Sequence, residues 1–295
     1  MSSKTRWLIT GSDGILGQEM QFLFELKQIR YLAANKKTLD ITNLDSIEDI
    51  FSRFNPTHVV NCAALTDVDA CEVSTNKARE INYDGVVNLI KFCKVENARF
   101  FQVSTNFVFG GNENQIYSNN DIAHPINAYG STKSAAENYC LGDKGLDITV
   151  VRTASTYSGY GNNFVLRLLN NLLNNKPTKV IQDIFVQPTW AFNVAELIYG
   201  LSNYPNQIPI IHAVSAGKTT WWEFAEYLCQ LAELDSSLLS RIDVNDLNLP
   251  AKRPRHAILS TNSFSNALQL NDWKSMLQTS LPILLRAGAS LDVSK

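Results

Sequence analysis

The sequence predicts an α/β fold in which a doubly wound parallel sheet is followed by a smaller second region. Up to Arg152, short apolar runs alternate with longer amphipathic segments, which is the order of strands and helices in a parallel sheet. A glycine-rich loop, Gly11 to Gly17, joins the first apolar run to the first amphipathic segment. The chain has 295 residues, 45% of them hydrophobic, so it is long and apolar enough to bury a large core.

The strands and helices of the first region follow from hydrophobic spacing. Apolar runs bounded by polar or turn residues predict strands, and apolar residues that repeat at helical spacing predict helices. The predicted strands are 6–10, 30–34, 58–61, 99–104 and 147–152. The predicted helices are 15–27, 43–54, 83–96 and 128–141. Strand and helix alternate throughout, as a parallel sheet requires.

The second region begins where the sequence becomes rich in Asn, Gly and Pro, between Ser158 and Pro188. Helices are predicted there at 164–173, 191–201, 221–231 and 272–285, with one short strand at 209–212. We therefore place a first domain at residues 1–157 and a second, mainly substrate-binding region at 158–295. We also expect some segments of the second region to return to the first domain.

Charge and cysteine usage exclude several classes of protein. The 26 basic and 28 acidic residues nearly balance, with a formal net charge of -2, so neither a nucleic acid nor a membrane partner is expected. The five cysteines show no C-x-x-C spacing, and the four histidines share no metal-ligand spacing. The sequence shows no targeting signal and no apolar stretch of about 18 residues. We expect a cytoplasmic protein with reduced thiols, and we assign no metal-binding residues.

The glycine-rich loop carries the first chemical signal. Its glycines are spaced so that the chain can turn sharply from a strand into a helix and approach a pyrophosphate closely. The N-terminus of the following helix attracts the phosphate charge. A purely structural glycine turn is the alternative. The residues that we expect to bind a dinucleotide here are Gly11, Asp13, Gly14, Ile15, Leu16 and Gly17.

The residues after the second strand bear on the choice of dinucleotide. Asn35, Lys36 and Lys37 stand there without an acid, whereas an acid at this position bonds the ribose 2′-hydroxyl of NAD. Two cations suit a 2′-phosphate, so we favour NADP(H) over NAD(H). A pair of solvated lysines is the alternative.

Two further segments are expected beside the cofactor. Asp40 and Ile41 lie slightly further along the chain, where they would contact adenine or ribose. Cys62, Ala63 and Ala64 follow the third strand, and their small side chains leave room for the cofactor alongside their backbone. Both segments are therefore assigned to the cofactor site.

A tyrosine, a lysine and a threonine form the second chemical signal. Tyr129 and Lys133 stand one helical turn apart, and therefore on one face of a predicted helix. An ammonium beside a phenol lowers the phenol pKa, which suits Tyr129 to acid or base chemistry. Thr105 ends the fourth strand, and open parallel sheets build their sites at such strand ends. We predict a catalytic trio of these three residues, with Ser104 as the substitute for Thr105.

These motifs resemble the extended short-chain dehydrogenase/reductases, and among them the dTDP-4-dehydrorhamnose reductase family. The resemblance covers nearly the whole chain and is most specific in four later motifs, at 161–165, 187–189, 219–225 and 251–254. It implies a Rossmann-type domain that binds NAD(P)H and reduces the 4-keto group of a nucleotide-linked 6-deoxyhexose. Such a reaction belongs to activated deoxysugar and polysaccharide biosynthesis, and a homodimer is the assembly that the resemblance suggests.

Substrate contacts are expected between the strand ends and the second region. Arg253 lies in the basic segment 252–255, and its planar guanidinium suits a diphosphate, with a solvated basic loop as the alternative. The sequence departs from the family pattern where Asn106 and Gly110 each replace an aspartate and Ser155 replaces a tryptophan that packs on the sugar. The residues assigned to the substrate are Val68, Thr105, Asn106, Ser155, Asn163 and Arg253.

Two other functions compete with a reductase. One is an epimerase or dehydratase of the same fold that retains its NAD, although a dehydratase would need an acidic pair where Asn106 stands. The other is a non-catalytic NADP-binding subunit, because the regulatory subunit of methionine adenosyltransferase is similar to this family. The intact trio of Thr105, Tyr129 and Lys133 favours an enzyme.

Overall fold

The computed structural model describes residues 5–204, 207–261 and 269–290. The helices are α1 (Ile15–Leu26), α2 (Leu44–Phe54), α3 (Val68–Val73), α4 (Thr75–Arg79), α5 (Gly85–Glu96), α6 (Ala128–Gly142), α7 (Phe164–Leu173), α8 (Ala191–Ser202), α9 (Trp221–Ala232) and α10 (Trp273–Ala289). The strands are β1 (Trp7–Thr10), β2 (Tyr31–Ala34), β3 (His58–Asn61), β4 (Arg99–Thr105), β5 (Ile116–Tyr117), β6 (Ile148–Thr153), β7 (Thr156–Tyr157), β8 (Thr178–Ile181), β9 (Phe185–Val186), β10 (Thr189–Trp190), β11 (Ile210–His212), β12 (Thr219–Thr220), β13 (Leu239–Ile242) and β14 (Ile258–Leu259). Within the described ranges, no helix is long and apolar enough to cross a membrane.

Six parallel strands form the central sheet, in the order β11-β6-β4-β3-β1-β2. From β1 the chain moves outward to β2, and it then crosses back to β3 on the other side of β1. In open parallel sheets, ligands bind beyond the carboxyl ends of the strands at such a reversal of strand order. The predicted doubly wound α/β fold is confirmed.

Helices cover both faces of the sheet because its central strands are apolar on both sides. α1 and α8 pack on one face, where Trp7, Phe24 and Phe101 are fully buried. α2, α5 and α6 cover the other face, around the fully buried Leu8 and Phe100. This packing leaves the carboxyl edge of the sheet as the place where loops and helix ends gather.

The later part of the chain contributes both to this sheet and to a separate cluster. Helices α7, α9 and α10 pack around a third apolar cluster that includes Leu169, Phe224 and Leu277. In contrast, β11 pairs with β6 at the edge of the sheet, and α8 packs against α1. The chain therefore leaves the sheet after β6 and returns to it before β12.

The sheet strands and their helices lie within two residues of their predicted bounds, except between β3 and α5. There the chain forms α3, α4 and a π-helical turn, Glu80–Asp84, none of which the hydrophobic spacing predicts. Their side chains are mostly exposed or half-buried, so they carry little apolar periodicity. α3 begins instead through a polar cap, because the Asp67 carboxylate accepts the Ala70 N–H at 2.9 Å.

Candidate active site

A cleft of about 770 Å³ opens at the carboxyl edge of the sheet. In the order of the sheet, it runs from the end of β2 past the glycine-rich loop after β1 to the ends of β3, β4 and β6, and helix α6 also lines it. All of the residues predicted to hold the cofactor line it: Gly11, Asp13, Gly14, Ile15, Leu16, Gly17, Asn35, Lys36, Asp40, Ile41, Cys62, Ala63, Ala64, Tyr129 and Lys133. These residues come from four parts of the chain, which follow β1, β2 and β3 and begin α6, and the fold brings them together in one cleft.

The glycine-rich loop is packed too closely for side chains at two of its positions. Gly11 has a φ of +62°, and a Cβ there would lie 2.5 Å from the Ala63 backbone nitrogen. A Cβ at Gly17 would lie 2.5 Å from the Gly11 carbonyl oxygen. α1 begins directly after Gly14, with no side-chain cap and no acid in its first turn. The N–H groups and the positive end of this helix are therefore available to a pyrophosphate.

At the β2 end of the cleft, Lys36 and Lys37 differ in position. Lys36 lines the cleft, whereas Lys37 is not among its lining residues, and the Lys37 backbone N–H donates to Asn35 Oδ1 at 3.0 Å. Asp40 also lines the cleft, and its carboxylate accepts the Thr42 N–H at 3.0 Å and the Thr42 hydroxyl at 2.8 Å. These two bonds hold the pKa of Asp40 below its usual range. Lys36 is thus the better placed of the two lysines for a 2′-phosphate.

The predicted catalytic trio meets at the other end of the cleft. Thr105 ends β4, and its hydroxyl accepts the Phe107 N–H at 3.1 Å and hydrogen-bonds Tyr129. Asn127 caps α6 by accepting the Gly130 N–H at 2.8 Å, which fixes Tyr129 in the first turn. Lys133 follows one turn later, and its ammonium donates to the Val103 carbonyl oxygen at 2.6 Å. Strand β4 and helix α6 together therefore set the geometry of all three groups.

Burial has the largest effect on the pKa values of Tyr129 and Lys133. It raises the pKa of Tyr129 to about 12, partly opposed by the hydrogen bond with Thr105, and it lowers the pKa of Lys133 to about 8. We expected Lys133 to lower the Tyr129 pKa, but here its ammonium is directed to the Val103 carbonyl, and the environment of Tyr129 has the opposite net effect. A phenol with so high a pKa is protonated at neutral pH. Tyr129 is thus prepared to donate a proton rather than to accept one.

Two buried hydroxyls in the cleft lack a protein partner. Ser104 Oγ and Thr153 Oγ1 belong to cleft-lining residues that are 3% and 9% exposed, and neither oxygen has a hydrogen-bond partner. Buried polar atoms are rarely left in this state unless a ligand or water satisfies them. Together with the glycine-rich loop, they give the cleft several polar groups for an elongated ligand such as a dinucleotide.

The predicted substrate residues do not all line the cleft. Thr105 and Ser155 do, and Ser155 has a φ of +47° at the turn after β6. Asn106 is buried and donates to the Ala257 carbonyl oxygen at 2.9 Å. Asn163 caps α7, where it accepts the Leu166 N–H at 3.1 Å. Val68 is the first residue of α3 and is not among the lining residues. For both asparagines these bonds provide a structural role that the sequence did not indicate.

Arg253 is occupied by a protein carboxylate rather than left open for a diphosphate. Its two terminal nitrogens lie 2.6 Å and 2.5 Å from the oxygens of Asp69, and Nη1 also donates to the Ala251 carbonyl at 2.6 Å. The expectation of a diphosphate contact overlooked this acid because Asp69 is distant in sequence. Of the other cations in that segment, Arg255 lies 3.2 Å from Asp183.

Several cleft-lining residues were missed by sequence reasoning. Lys77 and Ile81 come from α4 and the π-helical turn, which were not predicted. Gly161 and Asn162 come from the second region and lie against α1, because a Cβ on Gly161 would be 3.3 Å from Ile15 Cγ1. The asparagine- and glycine-rich texture after residue 158 was the available signal for this second pair. No cluster of three or more His, Cys, Asp or Glu side chains suited to a metal occurs in the parts of the chain described.

A dinucleotide-type cleft with threonine, tyrosine and lysine at the strand ends defines a Rossmann-type protein of the extended short-chain dehydrogenase/reductase class. The chain belongs to the family described as the RmlD substrate binding domain, which matches residues 5–285. It is 32% identical over 295 residues to the dTDP-4-dehydrorhamnose reductase of Streptomyces griseus, covering 97% of this chain and 96% of the relative.

Two further relatives extend the comparison. The dTDP-4-keto-6-deoxy-D-glucose reductase of Streptomyces niveus is 30% identical over 281 residues, covering 95% of this chain and 97% of the relative. A crystal structure of the dTDP-4-dehydrorhamnose reductase from Bacillus anthracis in complex with NADP has a TM-score of 0.86 and 26% identity, and covers 95% of this chain and 99% of that chain. The resemblance expected from the sequence motifs is confirmed.

Proposed function

We propose that this protein is an NADPH-dependent reductase of the 4-keto group of a nucleotide-linked 6-deoxyhexose. The observation that supports it most directly is the placement of Thr105, Tyr129 and Lys133 in the same cleft as the glycine-rich loop. A dinucleotide bound along this cleft would have its pyrophosphate held by Gly11 to Gly17 and its reacting end near the trio. The related reductases named above carry the same activity, so neither a retained-NAD epimerase nor a non-catalytic subunit is needed to explain the site.

The residues suited to hold the cofactor are spread along the cleft. The N-terminus of α1 would hold the pyrophosphate and Lys36 would pair with the 2′-phosphate, while Ser104 and Thr153 offer unpartnered hydroxyls near the strand ends. When bound, the nicotinamide supplies the hydride for the reduction. NADPH is preferred to NADH because Lys36 lines the cleft and no acid ends β2.

The trio divides the acid–base work. Thr105 orients the substrate carbonyl by a hydrogen bond, while the neighbouring Phe107 N–H fixes the threonine side chain. Tyr129 donates its phenolic proton to the alkoxide oxygen that forms at C4 of the sugar. Lys133, one helical turn after Tyr129, contributes a positive charge to the same cleft, which favours the phenolate that remains.

Ser155 shapes the sugar pocket. It stands where the family pattern has a tryptophan that packs on the sugar, and its small side chain leaves that wall of the cleft open. We infer that the enzyme accepts a 4-keto sugar nucleotide other than, or in addition to, dTDP-4-dehydrorhamnose. Val68, the first residue of α3, is a second candidate for a sugar contact.

The test is turnover with a panel of dTDP- and UDP-linked 4-keto-6-deoxy sugars. Purified protein is mixed with each sugar and NADPH or NADH, the loss of reduced nicotinamide is followed by absorbance, and the product configuration is read by NMR. We expect oxidation of NADPH that depends on both sugar and protein, and its loss in Tyr129→Phe. Absence of turnover with every sugar in the panel, by a protein that binds NADPH, would contradict the proposal.

The cellular setting is part of the same proposal. We place the enzyme in the cytoplasm, where its five free cysteines stay reduced and NADPH is available. Its partners are the nucleotide sugar and a second copy of the chain, with no role for nucleic acid or membrane. Sedimentation of the purified protein at the mass of two chains would support the homodimer.

A further inference from the structure

A buried ion pair joins helix α6 to strand β6, and its carboxylate lies one helical turn after the catalytic lysine. Glu137 and Arg152 are only 2% and 3% exposed. Arg152 Nε lies 3.0 Å from Glu137 Oε1, and Nη2 lies 2.7 Å from Oε2, so the guanidinium binds both carboxylate oxygens. Burying two charges is costly, and a pair like this often adds no net stability compared with apolar residues of similar size. Its presence here points to a role other than stabilising the fold.

Glu137 follows Lys133 by four residues, so both side chains stand on one face of α6. Lys133 is itself 3% exposed, and its ammonium donates to the Val103 carbonyl. A buried amine favours its neutral form unless a negative charge lies close by. The Glu137 carboxylate raises the pKa of Lys133, against the larger lowering effect of burial.

The other titratable groups that influence Lys133 carry no charge at neutral pH. They are thiols from three elements: Cys62 after β3, Cys71 of α3 and Cys140 of α6. Burial raises their pKa values to about 12, 11 and 12, respectively. Tyr129, on the preceding turn of α6, has a pKa of about 12 for the same reason. Among the described residues that raise the Lys133 pKa, the ionised acid is therefore Glu137.

Arg152 is fixed from its other side by a neutral histidine. His212 Nε2 lies 3.4 Å from Arg152 Nη1, and His212 Nδ1 lies 3.0 Å from the Ser260 carbonyl oxygen. Because Nε2 faces a donor and Nδ1 faces an acceptor, the ring carries its proton on Nδ1. Burial lowers the pKa of His212 to about 4, so the ring adds no charge to the pair. The guanidinium is thus held against Glu137 and is not free to approach Lys133.

We propose that Glu137 is a positioning residue that keeps Lys133 in its charged form inside the cleft, with Arg152 holding the carboxylate in place. The inference rests on the role proposed above for Lys133, whose positive charge stabilises the phenolate left by proton transfer. Without Glu137, the lowering effect of burial on the Lys133 pKa is opposed less, and Lys133 shifts toward its neutral amine. It still bonds the Val103 carbonyl, but it no longer compensates the phenolate.

The test removes the pair without leaving a lone buried charge. Glu137→Met with Arg152→Met replaces both ions by apolar side chains of similar volume, a change that comparable pairs tolerate. The protein is labelled with ¹³C at lysine Cε, and the Lys133 signal is assigned by its loss in Lys133→Met. We expect the Lys133 titration midpoint, near pH 8 in the wild type, to fall by at least one pH unit in the double variant. The decline of kcat at alkaline pH should move by the same amount.

The same titration separates this role from a purely structural one. A double variant that folds, with a Lys133 midpoint and a kcat profile like those of the wild type, would overturn the proposal. Glu137→Gln is a second variant for the same titration, and it keeps the shape of the side chain next to Arg152. Either variant, if it folds, shows whether the Lys133 midpoint depends on the Glu137 charge. The titration needs neither sugar nor turnover, and its outcome is therefore distinct from the outcome of the proposed reaction.

Discussion

Arg253 and Asp69, 184 residues apart in the sequence, form a bidentate ion pair with distances of 2.6 and 2.5 Å. The same carboxylate accepts the Ala251 N–H at 3.0 Å, and the bond with Arg253 is the main reason why the pKa of Asp69 lies below its usual range. Asp69 is the second residue of α3, which begins beside the cleft. The pair therefore fastens the loop before β14 to the wall of the site.

We expect Asp69→Asn and Arg253→Met to have similar effects. Each should reduce the free energy of unfolding by about 1 kcal/mol, and the double variant should lose less than the sum of the two, because the ion pair that both residues share is removed in all three. Urea unfolding provides the measurement. If Arg253 instead bound the substrate diphosphate, Arg253→Met would raise the KM for the sugar nucleotide far more than Asp69→Asn does.

Replacing Tyr129 should affect chemistry but not cofactor binding. Tyr129→Phe removes the proton donor while keeping the ring that packs 5.9 Å from Phe107, so kcat should fall by about 10² to 10⁴. The Kd for NADPH, measured by fluorescence, should stay within about twofold. Tyr139→Phe is the matched control, because Tyr139 lies on the same helix but does not line the cleft. Near-normal turnover in Tyr129→Phe would remove this residue from its proposed role.

The two lysines after β2 should separate in binding experiments. Lys36→Ala should weaken NADPH binding about fivefold and leave NADH binding unchanged, because a cation facing the 2′-phosphate is lost. Lys37→Ala should change neither, since Lys37 is not among the cleft-lining residues. Calorimetric titration with both dinucleotides gives the four affinities for comparison with the wild type. Equal losses of NADPH affinity in the two variants would instead indicate that both lysines bind the 2′-phosphate.

Ser155 should control which sugars are accepted. Ser155→Trp rebuilds the aromatic wall and should favour dTDP-4-dehydrorhamnose over other 4-keto sugars by about tenfold in kcat/KM. Ser155→Gly is the control: it keeps the pocket open and, because Ser155 has a φ of +47°, should stabilise the fold by up to about 1 kcal/mol. A wild type that already prefers dTDP-4-dehydrorhamnose strongly, with no gain from tryptophan, would show that the missing wall does not set specificity.

A histidine at the start of β3 should make stability depend on pH. Burial, assisted by the nearby Arg99 charge, lowers the pKa of His58 from 6.5 to about 4. The folded state thus disfavours the protonated ring. The contribution of His58 to the free energy of unfolding is therefore complete above pH 6.5 and is lost as the pH falls toward 4. Between pH 7 and pH 5 the free energy of unfolding should drop by about 2 kcal/mol through His58 alone.

His58→Gln should flatten that pH dependence, although it also removes the ring stacked 4.8 Å from Trp7 and so lowers stability at pH 7. The exposed His124 offers the control, and His124→Gln should follow the wild-type profile. Urea unfolding at pH 7 and pH 5 measures all three proteins. Parallel profiles for His58→Gln and the wild type would disprove the assignment.

The sheet and the cofactor end of the cleft were predictable because they depend on local patterns. The apolar runs mark the strands, and the glycines mark the first turn, where a Cβ on Gly17 would lie 2.5 Å from the Gly11 carbonyl oxygen. The partners of Asn106 and Arg253 were not predictable, since Ala257 and Asp69 lie 151 and 184 residues away. Burial of Tyr129 likewise depends on how β4, α3 and α6 pack, which spacing within one helix does not reveal.

The return of β11 and α8 to the sheet restricts how this protein can be recombined with its relatives. A fragment ending at residue 157 would lack the strand that pairs with β6 and the helix that packs on α1. It would expose a sheet edge and an apolar helix face, both of which promote aggregation. A chimera joining the cofactor half of one reductase to the sugar half of another must therefore take residues 191–212 from the cofactor parent. Such a chimera needs extra junctions on either side of residues 191–212. Chimeras joined at one point near the middle of the chain should be mostly insoluble.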